Sequence, residues 1–317
     1  MRVFITGASG HIASAVIPEL LSAGHAVTGL ARSDRSAAVV QSLGAGVRRG
    51  DLDDLDGLSA AVREADGVIH LAFNEDEVRS GNMAGAIAAD LRAIKAMGAA
   101  LAGTDKPFIG TNATGAMAMA GFQGRQLTEH DTLPGGGRVD AENAVIAFAG
   151  QGARALVVRL PQVHSLGRYG FVSGLINIAR ATGTSGYLGA GSNRWPATDT
   201  RDVARVYRLA LESAPAGSRL HAVAEEGITV REIAATIGRR LDVPVVPVAA
   251  EDAERHFSYL SAIAGLDNPT TSQITRDTLG WTPTRPGLIA DLEQDRDLAA
   301  KAGQAGQAGK AAKASGS

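Results

Sequence analysis

The first fifteen residues, Met1–Ala15, read MRVFITGASGHIASA. Residues 2–5 form a β-branched and aromatic run long enough for a buried strand. From His11 onward the apolar residues Ile12, Val16, Ile17, Leu20 and Leu21 recur at helical spacing. Strand, glycine-rich turn and helix together open a dinucleotide-binding unit. Gly7 permits the tight turn, Gly10 lets the backbone approach a pyrophosphate, and small Ala13 lets the helix sit against the strand. The helix start offers its N–H groups to the anion. Thr6, Gly7, Ser9, Gly10, His11 and Ile12 are therefore the candidate cradle, although the spacing is G-x-x-G-x-x-A rather than G-x-G-x-x-G.

Outward from this corner the chain supplies the rest of the unit. Residues 25–31 (HAVTGLA) read as a second strand, with Arg32 and Ser33 just past its end. A carboxylate there would accept from a ribose 2′-OH, whereas an arginine favours a 2′-phosphate. Arg32 thus points to NADP(H) rather than NAD(H), with Asp34 nearby as the opposing signal. A short third strand (GVRRG, 46–50) ends at Asp51 and Leu52, candidate adenine contacts. An amphipathic helix follows, with Leu55, Leu58, Ala61, Val62 and Ala65 inward. The run 67–72 (GVIHLA) is apolar throughout, as suits a parallel strand covered on both faces, and His70 reads as a strand histidine. Leu71, Ala72 and Phe73 lie at its exit.

Composition bounds the rest. The 317 residues are 45% hydrophobic and 20% charged, with net charge −2 and no cysteine. A chain of this length can bury an ample core. Disulfides, thiolate metal sites and cysteine nucleophiles are excluded, and no metal ligand set is read. The near-neutral charge without a basic stripe argues against nucleic acid. No apolar run reaches membrane-span length, and Met1 leads directly into a strand with no signal peptide, so the expectation is a cytoplasmic protein without a membrane partner. Residues 299–317, built from Ala, Gly, Gln, Lys and Ser, read as a disordered tail.

In succession, TGASGHIA, the Arg32–Ser33 pair, GDLDD and VIHLAF resemble the extended or atypical short-chain dehydrogenase/reductases, in the NAD(P)-dependent epimerase/dehydratase branch. VVRLPQVHS, NRWPATDTRDVARVYRLAL, HAVAEEGITVREIAATIGRRL and LGWTPT continue the resemblance to about Leu298. It implies a doubly wound parallel α/β sheet with a smaller substrate-covering lobe. The dinucleotide-binding part spans 1–165, with 195–225 returning to it, and 166–298 is mainly the substrate lobe. Helices such as the one read over 82–101 pair subunits in the family, which makes a homodimer an option.

The family's catalytic serine or threonine lies after the fifth strand, read here over 106–110. Ala113 takes that position, flanked by Asn112 and Thr114, with Thr111 beside the cofactor. The family's tyrosine donates a proton to the substrate oxygen, and a lysine four residues on lowers its pKa. Their places, on a helix read over 137–151, fall on Arg138 and Glu142. None of the four tyrosines (Tyr169, Tyr187, Tyr207, Tyr259) has a lysine four residues on, and outside the tail only Lys95 and Lys106 exist. The pair is absent in any alignment.

After the sixth strand, Pro161 and His164 border the nicotinamide pocket, and His164 joins Asn112, Thr114 and Arg138 as candidate catalytic residues. Tyr169, Phe171, Tyr187 and Trp195, with Arg168 and Arg194, form the candidate substrate wall, with domain-interface packing as the alternative. Helices are read over 230–241 and 251–264, the second presenting His256 and Tyr259 on one face, and Trp281 closes the lobe as a core residue. The expected function is NADP(H)-dependent hydride transfer at a carbonyl or alcohol carbon of a small molecule. The alternatives are a non-catalytic NADP(H) sensor and a sugar-nucleotide epimerase/dehydratase-like enzyme.

Overall fold

The computed structural model describes residues 1–74, 76–77 and 80–298; the tail expected to be disordered lies outside the described residues. β1 (Arg2–Thr6), α1 (Ala13–Ser22), β2 (Ala26–Ala31), α2 (Asp34–Ser42), β3 (Gly46–Arg49), α3 (Leu55–Glu64) and β4 (Gly67–His70) form the first half. α4 (Met83–Leu101), β5 (Pro107–Ala113), α5 (Arg138–Ala147), β6 (Arg154–Leu160) and β7 (Gln162–His164) follow. The second half holds α6 (Phe171–Thr182), β8 (Ser185–Leu188), β9 (Arg194–Asp199), α7 (Thr200–Ser213), β10 (Arg219–His221), β11 (Glu225–Thr229), α8 (Val230–Leu241) and β12 (Val245–Val248). It ends with α9 (Gln273–Leu279) and α10 (Leu288–Gln294).

The main sheet has the order β10-β6-β5-β4-β1-β2-β3, and every pairing in it is parallel. The order reverses between β1 and β4, so ligands are expected at the carboxyl ends of the strands there. Alternation along β1 sends Val3 and Ile5 to a core shared with α1 and α7, and Phe4 to the opposite core with α3 and α4. A third apolar cluster, with Tyr169, Tyr187, Trp195, Ile233 and Leu292, holds the second lobe together. There β11-β9-β7 form one small sheet and β12-β8 another.

Four expectations change. β5 runs on to Ala113, because Thr111, Asn112 and Ala113 pair in register with Val158, Arg159 and Leu160 of β6. The helix read over 251–264 is broken into short turns, with Ser258 at a left-handed φ of 51°, so His256 and Tyr259 do not share a helix face. Of the proposed aromatic wall, Tyr169, Tyr187 and Trp195 are buried in the lobe's core and Phe171 alone is exposed. Trp281 is core as expected, but it packs in the first cluster with α1 and α7.

Candidate active site

The expected cofactor residues converge on one edge of the main sheet. Thr6 ends β1, Arg32 follows β2, Asp51 follows β3, Leu71 to Phe73 follow β4, Thr111 lies near the end of β5 and Pro161 follows β6. Gly7 sits at φ 68°, and a Cβ there would stand 2.7 Å from the backbone nitrogen of Ala72. Only a glycine lets the loop press that closely onto the exit of β4. Ser9 and Gly10 are exposed above it. Ile12 begins α1 with no side-chain cap among the described residues, which leaves the helix start to an anion. These features fit a dinucleotide pyrophosphate.

A buried hydrogen-bonded row supports the loop. Thr6 Oγ1 lies 2.6 Å from His70 Nδ1 and accepts from Ala72 N at 3.3 Å. His70 Nε2 lies 2.8 Å from Asp90 Oδ1 on α4. Since Asp90 can only accept when ionised, Nε2 carries hydrogen and the Thr6 hydroxyl can donate to Nδ1. His70 is thus a structural strand histidine, as expected. Asp90 escaped notice in the sequence, yet it interrupts the inward stripe Ala86, Ala93, Ile94 and Met97 of α4, and a carboxylate on such a stripe needs a partner.

The residues expected at the adenine side are mostly polar and exposed. Arg32 Nη2 bonds Asp76 Oδ2 at 2.6 Å, both side chains being more than half exposed. Ser33 caps α2, accepting from Ser36 N, and Asp51 accepts from Asp53 N and Asp54 N. Leu52 is partly buried beside that turn.

At the other end of the edge, Thr111 Oγ1 donates to the His70 carbonyl at 2.8 Å and lies 2.7 Å from Tyr207 OH. Arg138, the first residue of α5, donates from Nη2 to the Thr111 carbonyl at 3.2 Å. Its guanidinium carbon lies 3.9 Å from the centroid of the Phe73 ring, a cation–π stack. Burial pushes this guanidinium down from its ordinary pKa, with Asp90 opposing through space. Asn112 and Thr114 are buried and engaged: Asn112 Nδ2 donates to Glu142 at 2.8 Å, and Thr114 Oγ1 lies 2.9 Å from the Asn268 amide. Glu142, in the lysine's place, also receives Arg159 and Arg219. Burial works to raise its pKa, but the bonds and charge of Arg159, with Asn112 and Arg219, outweigh it and hold it low.

Full-length similarity accompanies this geometry. The model of the NmrA-like family matches residues 1–96. The uncharacterized protein C2A9.02 of Schizosaccharomyces pombe is 44% identical over 298 residues, covering 93% of this chain and 99% of that protein. YLL056C of Saccharomyces cerevisiae is 41% identical over 304 residues, covering 94% and 100%. The crystal structure of UDP-glucuronic acid 4-epimerase from Bacillus cereus, in complex with UDP-glucuronic acid and NAD, superposes with a TM-score of 0.72. It is 17% identical, and the match covers 95% of this chain and 99% of that one. The chain belongs to one family with these two yeast proteins, and its fold is that of the NAD-bound epimerase.

The glycine turn meets the ends of β7 and β9 through His11. His11 Nε2 lies 3.1 Å from Thr200 Oγ1 and 3.4 Å from Ser165 Oγ, and Thr200 Oγ1 also donates to the His164 carbonyl. Burial, and then the charge of Arg168, push the His11 pKa down. His164 is fully buried, its Nδ1 2.9 Å from Asp291 Oδ2 on α10. One ligand-capable atom from each of His164, Asp199 and Asp291 lies within 4.8 Å of the others. Arg201 grips Asp199 through Nε and Nη2, so that carboxylate is already ion-paired. His256 lies elsewhere, in a cavity of about 430 Å³ beside β12. Among the described residues no helix is long and apolar enough to cross a membrane.

Proposed function

We propose that this protein is a cytoplasmic NADP(H)-dependent oxidoreductase that transfers hydride at the carbonyl or alcohol carbon of a small organic substrate. The observation that carries the reading is Arg138, a guanidinium held on Phe73 and Thr111 where the family's proton-donating tyrosine belongs. The bound nicotinamide would supply or accept the hydride. Gly7, Gly10 and the start of α1 would hold the pyrophosphate, Arg32 the 2′-phosphate, and Thr111 with Phe73 the nicotinamide end. Reduction puts negative charge on the substrate oxygen, and a fixed cation stabilises it without reorganising. Arg138 does not readily release a proton, and His164 is buried against Asp291, so water delivers the proton. Slow turnover of activated carbonyls is the expected behaviour, read as NADPH oxidation over a carbonyl panel. The engagement of Asn112 and Thr114 with buried partners favours a second reading, an NADP(H) sensor. Tight NADPH binding without turnover of any carbonyl would select it.

Cofactor choice tests Arg32. Its pair with Asp76 is a surface pair of the kind worth little, so a 2′-phosphate can take over the guanidinium. Arg32→Asp should weaken NADPH by about tenfold to a hundredfold and leave NADH equal or better. Titration of both cofactors into both proteins decides, and an unchanged NADPH affinity in the variant removes Arg32 from the site.

A further inference from the structure

Other arginines that reach into the fold are richly partnered. Arg159, Arg194 and Arg201 each grip a carboxylate through two nitrogens. Arg154 donates to three carbonyls, those of Ala210, Leu211 and Ala214, at the end of α7. Arg138 differs. Among the described residues it has one hydrogen bond, to the Thr111 carbonyl, and no ion pair. Asp90 acts on it only through space and is itself bonded to His70. A guanidinium carries five N–H donors, and those of Arg138 that the fold does not use are not sealed off, so a ligand can reach them.

The backbone just before Arg138 is open. Gly135, Gly136 and Gly137 lead into α5, and a Cβ added at Gly136 or Gly137 would meet nothing within 4 Å. No side chain among the described residues caps the start of α5, whose dipole adds positive potential beside Arg138. Phe73 covers one face of the guanidinium, so a ligand must meet its N–H edge in plane, as a carboxylate does.

We propose that the substrate is a 2-oxo acid or a close relative, whose carboxylate docks on the N–H edge of Arg138 between Phe73 and the glycine run before α5. The proposal rests on the reductase reading for its chemistry, and for its charge on a guanidinium that has no ion pair among the described residues. In a 2-oxo acid the carbonyl oxygen lies beside the carboxylate. The group that anchors one therefore also meets the charge that develops on the other. The neighbouring carboxyl group would make up for the missing tyrosine by presenting an activated carbonyl.

Calorimetry on the NADPH-loaded protein tests this with two unreactive probes, oxamate and its neutral counterpart oxamide. Oxamate should bind at least about tenfold more tightly, since its carboxylate makes charge-assisted bonds that the amide cannot. Arg138→Gln should weaken oxamate by about tenfold to a hundredfold while leaving oxamide and NADPH binding unchanged. Equal binding of the two probes by the native protein, which needs no variant, would overturn the proposal. So would loss of NADPH rather than oxamate affinity in the variant, which would give Arg138 to the dinucleotide. Turnover is read separately. Arg138-dependent oxamate binding with no NADPH oxidation by any carbonyl would support the anion site and retire the reductase reading. Turnover of neutral carbonyls without oxamate binding would do the reverse.

Discussion

Gly10→Val is expected to abolish dinucleotide binding, by more than about a hundredfold, and to leave the protein folded. Gly10 is exposed at the top of the loop; its N–H donates to the Gly7 carbonyl at 2.9 Å and its carbonyl accepts from Ser14 N at 3.1 Å. A Cβ there would meet only the Gly7 oxygen, at 3.1 Å, so the turn itself can adjust by a few tenths of an ångström. The branched methyls would stand on the outer side, where a pyrophosphate must approach the backbone. Gly7 offers the contrast. A side chain there would strike the backbone of Leu71 and Ala72 from a positive φ, so Gly7→Val should lose stability as well as binding. NADPH titration together with thermal melting separates the two, and native affinity in Gly10→Val would show that this turn is not the phosphate cradle.

The fold was legible where local pattern and burial agree. The apolar run of 67–72, the stripe of α3 and the glycine turn each need one register only, and tertiary packing kept them. Reading failed where partners come from far along the chain. β5 extends past Gly110 because β6, over forty residues later, supplies register partners to Ala113. The 251–264 segment has helical composition, but Ser258 breaks it at a positive φ. The aromatic cluster suits a pocket wall or a packed core equally from its residues, because rings serve in either role. Trp195 Nε1 donates to the Leu266 carbonyl and Tyr169 OH to Asp295, pairings that no local spacing announces. In the site, that no tyrosine has a lysine four residues on is plain from the residues alone. That Arg138 would reach Phe73 while Glu142 turned to Arg159 was not, because helix positions four apart share a side of the helix without fixing which partners they find.

The charge cluster around Glu142 makes the fold acid-sensitive, and one histidine should dominate the effect. His221 is fully buried on β10; its Nδ1 lies 2.8 Å from the Thr271 carbonyl and its Nε2 3.1 Å from Arg159 Nη1. The carbonyl can only accept and the guanidinium can only donate, so Nδ1 carries the hydrogen, Nε2 the lone pair, and the ring is neutral. Protonating Nε2 would set two N–H groups and two charges against each other. Burial first, and then the charge of Arg159, lower the His221 pKa to about 3. The unfolded chain takes up this proton near pH 6.5, the folded chain not until about pH 3, so the stabilisation is complete above 6.5 and is lost as pH falls through that window. Each pH unit within it removes about 1.4 kcal/mol. Urea unfolding at pH 7.5 and pH 5 should therefore show about 2 kcal/mol more acid loss in the native protein than in His221→Gln. Glutamine can still donate to Thr271 and accept from Arg159, but it does not titrate. His11 and His256, whose pKa values burial also lowers, add the same slope to both proteins and cancel in the comparison. Glu142, held low, contributes only below the ordinary carboxylate range. Parallel slopes for the two proteins would mean that His221 already shares a proton with its surroundings in the folded state, and that Arg159 is not bonded to a bare Nε2.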